Sequence, residues 1–326
     1  MITGVSMFYP DRVVTNKDLE KLVDTSDEWI QTRTGIKERH WVEKGQAASD
    51  LGTEAVKLLL KQTGTKPEEI DLTIVATVTP DMLFPSTAIL IQHKVGMKNT
   101  WGFDLVAACS SFIYALTVAD QFIRSGKHKK VIVCGVDIMS SIIDLSDRNT
   151  CVLFGDGAGA VLLEPTPEAT ELGILDTVAH VDGSGAPYLY MPGGGSLNPP
   201  TAETIAKKMH VIHQDGKTVF KWAVAEMARV SEEILTKNGF TAKDVDIFVA
   251  HQANLRIIES TQKRLGLPDE KVVVTIDKYA NCTSATMPTC LAVAANDGRL
   301  KKGHLVVLAA FGAGFTWGSS LIRWAY

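Results

Sequence analysis

Short, unbroken apolar runs alternate along the chain with stretches in which apolar residues recur every three or four positions. The runs are DLTIVATVT (71–79), KVIVCGVDI (130–138), AGAVLLE (158–164), DIFVAHQA (246–253) and HLVVLAAFG (304–312). Helical spacing falls over 49–63, 109–125, 218–237, 254–265 and 287–300. Continuous apolar strands set between amphipathic helices predict an α/β fold whose strands are buried on both faces and largely parallel.

The pattern also repeats at half-chain spacing. KPEEIDLTIVAT (66–77) is similar to TAKDVDIFVAH (241–251), about 175 residues later. ALTVADQFIRSGKHKKVIVCG (115–135) is similar to AVAANDGRLKKGHLVVLAAFG (292–312), with Asp120 matching Asp297 and Gly126 matching Gly303. Two matches in the same order predict two similar halves, 1–170 and 171–326, packed as a pseudo-twofold pair. Each match reads as a helix, a polar turn and a buried strand.

The repeat places the reactive side chains. Cys109 falls at the start of a helix in the first half, and NCTSATMP (281–288) takes the matching place in the second. His251 ends the strand that matches 71–77. Ligand crevices of α/β sheets lie beyond the strand C-termini, so Cys109, His251 and Asn281 can converge between the halves. A helix start offers free N–H groups and partial positive charge, which predicts a lowered thiol pKa at Cys109. Cysteine, histidine and an amide form a set suited to acyl transfer: the sulfur takes the acyl group, and N–H donors stabilise an oxyanion. The glycines of FGAGFTWG (311–318) fit either a close backbone approach to a ligand or a tight turn.

Composition narrows the function without deciding it. The 326 residues are 45% hydrophobic and carry a formal net charge of −4, so no global positive field attracts nucleic acid. Five cysteines with no C-x-x-C argue against a disulfide framework or a cysteine zinc site and fit a reducing cytosol. No signal peptide or membrane span is expected. GDGAGA (155–160) precedes a strand rather than a helix and is a poor dinucleotide fingerprint; His210 and His213 lack a third metal ligand. Cys134, Cys151 and Cys282 read as packing residues.

TSDEWIQTRTGIKERH (25–40), DLVAACSSF, SDRNTCVLFGDGAGAVLLE, DGKTVFKWAV, AHQANLRII, the Asn281 loop followed by Pro288, and FGAGFTWGSSLIRW occur in an order that resembles the β-ketoacyl-acyl-carrier-protein synthase III family, from about residue 2 to 325. The resemblance implies a thiolase-like fold, two pseudo-symmetric halves in a five-layered α-β-α-β-α arrangement. It implies a condensing enzyme with Cys109, His251 and Asn281 as the catalytic triad, Ala313 and Cys109 as backbone oxyanion donors, and Phe311 beside them. Its substrates would be an acyl-CoA, acetyl-CoA first among candidates, and malonyl-acyl-carrier protein; CoA thioester is a substrate, so neither cofactor nor metal is expected. Trp29 and Arg148 would sandwich the CoA adenine, Arg33 would meet the phosphates, and Thr25, Gly216 and Asn254 would line the path. Arg256, Lys263 and Arg264 would dock the acidic carrier protein. Phe84 would cap the acyl pocket of a second copy, which implies a homodimer in the cytoplasm. Ala280 and Cys282 stand where glycine and threonine are common, and Ala313 where some members have glycine. A condensing enzyme or acyltransferase of specialised metabolism with another acceptor remains open, as does a non-catalytic CoA-binding scaffold.

Overall fold

A computed structural model describes residues 1–167 and 170–326. The first sheet contains β1 (Ile2–Phe8), β2 (Leu72–Ala76), β3 (Trp101–Leu105), β4 (Val131–Ile138) and β5 (Asp156–Leu163), in the order β1-β5-β4-β2-β3. The second contains β6 (Gly173–Val181), β7 (Ile247–Ala250), β8 (Leu305–Gly312) and β9 (Thr316–Arg323), in the order β7-β8-β9-β6. The boundary expected at 170/171 falls between β5 and β6. The main helices are α1 (Asp27–Thr34), α2 (Ala48–Thr63), α3 (Thr87–Val95), α4 (Ser111–Arg124), α5 (Gly216–Lys237), α6 (Leu255–Leu265) and α7 (Thr286–Asn296).

The period-two alternation of the strands builds the layers. Val131 and Val133 of β4 pack on α4 and α7, while Ile132, Cys134 and Val136 pack on α2 and α3. In β8, Val306, Leu308 and Ala310 face the same central helices, and Leu305, Val307 and Ala309 face α5 and α6. Both strands are buried along their whole length, which is why they read as unbroken apolar runs. Helix pair, sheet, central helix pair, sheet and helix pair make the five layers.

The two sheets repeat one topology. β2 pairs parallel with β4, β4 antiparallel with β5, and β5 antiparallel with β1. β7 pairs parallel with β8, β8 antiparallel with β9, and β9 antiparallel with β6. β3 is an extra edge strand, parallel to β2. The sheets are therefore mixed and not largely parallel as the alternation predicted. The cause is local: β4 to β5 and β8 to β9 are joined without a crossover helix of their own, so those neighbours must run antiparallel. Both central helices are entered through a left-handed residue and a 3-10 turn: Ala108 (φ 47) before α4 and Thr283 (φ 47) before α7. The helical spacing read over 287–300 stops at Asn296, where Gly298 turns the chain at φ 79. No helix among the described residues is long and apolar enough to cross a membrane.

Candidate active site

Cys109 lies in the 3-10 turn between β3 and α4, 8% exposed. Gly312 at the end of β8 allows this: a Cβ there would stand 2.8 Å from the Cys109 nitrogen and 2.9 Å from its Cβ. The turn after β8 is tied to the cysteine loop by Ser110 Oγ donating to the Thr316 carbonyl at 3.1 Å and Thr316 Oγ1 donating to the Ala107 carbonyl at 3.3 Å. The thiol is not lowered as the helix start predicted. Burial pushes it up to about 12, the Asp137 carboxylate pushes the same way, and only the residue's own backbone N–H pulls it down. The enclosed, largely apolar wall disfavours the anion.

His251 follows β7, its backbone N–H donating to the Ala309 carbonyl at 2.8 Å. The ring is 1% exposed. Nδ1 lies 2.7 Å from Thr286 Oγ1, and Nε2 is buried without a partner. Burial alone holds the imidazole down at about 3, so the ring is neutral near pH 7. Asn281 bonds the segment before β5 through its N–H to Leu153 O (3.0 Å) and its carbonyl to Gly155 N–H (3.1 Å). Its Oδ1 accepts the Thr283 N–H at 2.9 Å. That bond fixes the amide orientation and leaves the NH₂ group as the free donor.

Three residues other than glycine adopt left-handed backbone beside these groups: Ala108 (φ 47) before Cys109, Ala280 (φ 56) before Asn281, and Thr283 (φ 47) beneath the amide. Each such residue costs on the order of 1 kcal/mol, a strain that collects at functional sites. Ala280 thus takes up a conformation glycine favours. Cys282 is buried, and its Sγ donates to the Tyr279 carbonyl at 3.1 Å; it packs as expected.

Cys109, His251, Asn281, Phe311 and Ala313 line one cleft of about 1120 Å³, together with Trp29, Arg33, Gly216, Asn254 and Arg256. Asn254 caps α6 and donates from Nδ2 to the Arg33 carbonyl at 3.0 Å, joining the two sides of the mouth. Arg148 stands with its guanidinium 4.4 Å from the Trp29 ring centroid, so the pair is in direct contact and a base can enter between them only if Arg148 swings outward. Thr25 does not line the cleft, although its hydroxyl is buried without a partner. Lys263 and Arg264 lie in the last turn of α6, outside the cleft, and Arg264 is already engaged by Glu232 at 2.7 Å. Phe84 is 84% exposed and also outside it. Among the described residues no cluster of three or more His, Cys, Asp or Glu side chains could hold a metal ion.

Residues 103–183 match the family described as 3-Oxoacyl-[acyl-carrier-protein (ACP)] synthase III, and residues 235–324 match its C-terminal counterpart. The chain is 54% identical over 325 residues to a β-ketoacyl-[acyl-carrier-protein] synthase III of Koribacter versatilis, covering 100% of this chain and 98% of that protein. This chain belongs to the β-ketoacyl-[acyl-carrier-protein] synthase III family. Its backbone agrees: the crystal structure of the 3-oxoacyl-[acyl-carrier-protein] synthase III of Aquifex aeolicus VF5 superposes with a TM-score of 0.91 at 43% identity, covering 99% of both chains. A priming β-ketosynthase from the R1128 polyketide biosynthetic pathway superposes at 0.92 with 34% identity, over 99% of this chain and 96% of that one.

Sequence reasoning missed the polar residues that hold this synthase site together. Asp137, in β4, is fully buried and accepts six hydrogen bonds: from Thr77 Oγ1, Val78 N, Thr79 N and Oγ1 in one half, and from Ser284 N and Oγ in the other. The signal was available, since an acid inside a strand buried on both faces must be satisfied by neighbours. Asp137→Ala is expected to lower stability by about 3–5 kcal/mol, because it takes the acceptor from the Val78 and Ser284 backbone N–H groups and from three hydroxyls, while the Thr79 N–H keeps Thr77 Oγ1. Urea denaturation measures this, and a loss below about 1 kcal/mol would show that water replaces the carboxylate.

Proposed function

We propose that the chain catalyses the condensation that starts fatty-acid synthesis, and that Cys109, His251 and Asn281 carry it. Cys109 sulfur attacks the thioester carbon of an acyl-CoA. The carbon–sulfur bond to CoA breaks, and the thiol proton of Cys109 leaves, in net terms, with CoA. Burial favours the protonated sulfur in the resting site. One thioester replaces another, so the loaded enzyme is close in free energy to its substrates.

Malonyl-acyl-carrier protein then occupies the emptied cleft. His251 Nε2–H and the Asn281 amide donate to its thioester oxygen. The bond to the carboxylate breaks, CO₂ departs, and its electron pair forms an enolate held by those two donors. The enolate carbon attacks the acyl-Cys109 carbonyl, whose developing oxyanion is met by the N–H groups of Cys109 and Ala313. Collapse expels the Cys109 thiolate, which takes up a proton from solvent to replace the one lost with CoA, and 3-oxoacyl-carrier protein leaves. Loss of CO₂ drives the step and supplies a carbon nucleophile without a strong base. Phe311, 4% exposed among Phe315 and Trp317, keeps water from the departing carboxylate.

The observation that carries this reading is the convergence of Cys109, the unpartnered His251 Nε2 and Asn281 on one cleft whose mouth holds Trp29, Arg33 and Arg256. Mixing the protein with acetyl-CoA and then malonyl-carrier protein tests it by intact mass and product analysis. Acyl uptake followed by transfer to an acceptor other than malonyl-carrier protein would assign the chain to specialised metabolism. Absence of uptake from every acyl-CoA would leave a scaffold.

The same reading places Arg33 and Arg148 on the CoA nucleotide, with Trp29 stacking on its base, and Gly216 along the pantetheine path, while Thr25 lies off the cleft lining. It assigns the exposed cations Arg256 and Lys263 to the carrier protein, with Arg264 beside them. Lys263 has no ion-pair partner among the described residues, unlike Arg264. Lys263→Glu is expected to raise the KM for malonyl-carrier protein about fivefold, less at high salt, and to leave the KM for acetyl-CoA unchanged. An equal response to both substrates in steady-state kinetics would remove this face from carrier docking. Exposed Met82, Leu83 and Phe84 and the open edge strand β3 support a homodimer, with Phe84 reaching the partner's pocket. Five free cysteines support a place in the reducing cytosol.

A further inference from the structure

We propose that the Thr286 hydroxyl donates its hydrogen to His251 Nδ1 and thereby holds the ring as the Nε2–H tautomer, the form able to donate to the malonyl thioester oxygen. The inference deepens the reading above and rests on it for its functional meaning.

A neutral imidazole carries one N–H, and the partner of one nitrogen decides which nitrogen bears it. His251 is neutral because it is buried. Its Nε2 has no protein partner, so only the Nδ1 side can make the choice. There the ring meets Thr286 Oγ1 at 2.7 Å. A hydroxyl has one hydrogen and can both donate and accept, so the contact by itself allows either direction.

The second neighbour of that hydroxyl breaks the tie. Thr286 Oγ1 is also within hydrogen-bond reach of the Thr283 carbonyl at 3.1 Å, a group that can only accept the hydroxyl hydrogen. Were its hydrogen spent there, Nδ1 would have to donate, and Nε2 would face the cleft with a bare lone pair. The Thr283 carbonyl, however, already accepts the backbone N–H of Thr286 at the end of the 3-10 turn. It does not need the hydroxyl. Either direction satisfies Nδ1, but 2.7 Å is the usual length for a hydroxyl donor and short for a ring N–H, while 3.1 Å to the carbonyl is long for a hydroxyl donor, so the hydrogen is better placed on the ring side. The Thr286 side chain is 2% exposed, which shuts out water as a substitute donor.

The segment 281–286 then orients both donors of the site. Thr283 N–H holds Asn281 Oδ1, turning the amide NH₂ to the cleft, and Thr286 Oγ1–H holds His251 Nδ1, turning Nε2–H to the same place. Thr286 touches no reacting atom in this scheme and is a positioning residue.

Histidine ¹⁵N spectra of the full-length protein, with His251 assigned by its loss in His251→Gln, read the tautomer directly. We expect Nδ1 unprotonated and Nε2 protonated in the unmodified protein, and a mixture of tautomers in Thr286→Val, which keeps the shape and removes the hydroxyl. Decarboxylation of malonyl-carrier protein by Thr286→Val should fall about tenfold or more in kcat, with KM and acetyl uptake from acetyl-CoA within about threefold. Thr286→Ser should restore both spectrum and rate. An Nδ1–H ring in the unmodified protein overturns the proposal even if Thr286→Val fails to fold. So does a Thr286→Val variant that decarboxylates within about twofold of its parent. If the unmodified protein takes up no acyl group and decarboxylates no malonyl thioester, the functional reading fails, while the spectra still decide the hydrogen bond.

Discussion

Cys109→Ser is expected to lose acyl uptake from acetyl-CoA by on the order of 10⁴-fold or more, the scale seen when an essential nucleophile is removed. The physical reason lies in the wall around the sulfur. Burial already pushes the thiol up to about 12, and a serine hydroxyl, intrinsically far less acidic, has still less access to its anion in the same place. A sulfur nucleophile tolerates this because thiols are strong nucleophiles and because one thioester is exchanged for another. An oxygen nucleophile forfeits both advantages. The fold should survive, since the replacement is smaller and the backbone approach of Gly312 is unchanged. Intact-mass analysis after incubation with acetyl-CoA, alongside a denaturation curve, gives the result. A serine variant that gains an acetyl group at the parent's rate would move the loading point to another side chain.

His251→Ala is expected to separate the two halves of the reaction. Decarboxylation of malonyl-carrier protein should fall by about 10²–10³-fold, the usual consequence of losing one preorganised oxyanion donor, or about 3–4 kcal/mol of barrier. Acetyl uptake should stay within about tenfold, because the oxyanion of that step is held by backbone N–H groups. Adding Asn281→Ala should cost less than its single effect, since both donors serve one oxygen and act as a unit. Rapid-quench measurement of acetyl uptake and of CO₂ release reads the two steps separately. Equal loss in both would mean that His251 also serves as a base for Cys109, and the ring would then have to present a bare Nε2.

The separation has a structural origin. His251 and Asn281 both come from the second half, one after a strand and one before a helix, while Cys109 comes from the first. Asp137 and Ser284 clamp the halves together behind them. The site therefore depends on the relation of two sheets, and local changes such as Asp137→Ala act on it through stability.

Some elements were readable from the residues alone. β4 and β8 announced themselves because both faces are buried, which leaves no polar alternation to confuse the pattern. α2 and α5 were readable because one apolar stripe packs on a sheet and the opposite face meets solvent. β9 was not. Its Ser319 and Ser320 are fully buried, Ser319 Oγ satisfied by the Leu308 carbonyl and Ser320 Oγ by Thr177, so a core strand looks polar. β6 carries Asp176, Thr177 and His180 and hides in the same way. Without these two strands the mixed direction of the sheets could not be read.

Sequence alone determined the duplicated α/β plan, the family, and the candidacy of Cys109, His251 and Asn281, because these depend on residue types, order and local periodicity. Only the tertiary structure decided the protonation of the sulfur, the closed contact of Arg148 on Trp29, and the hydroxyl that faces His251 Nδ1. Those properties are set by burial and by partners tens to hundreds of residues distant along the chain. Electrostatic cost and hydrogen-bond choice follow distance in space, which one-dimensional spacing does not carry.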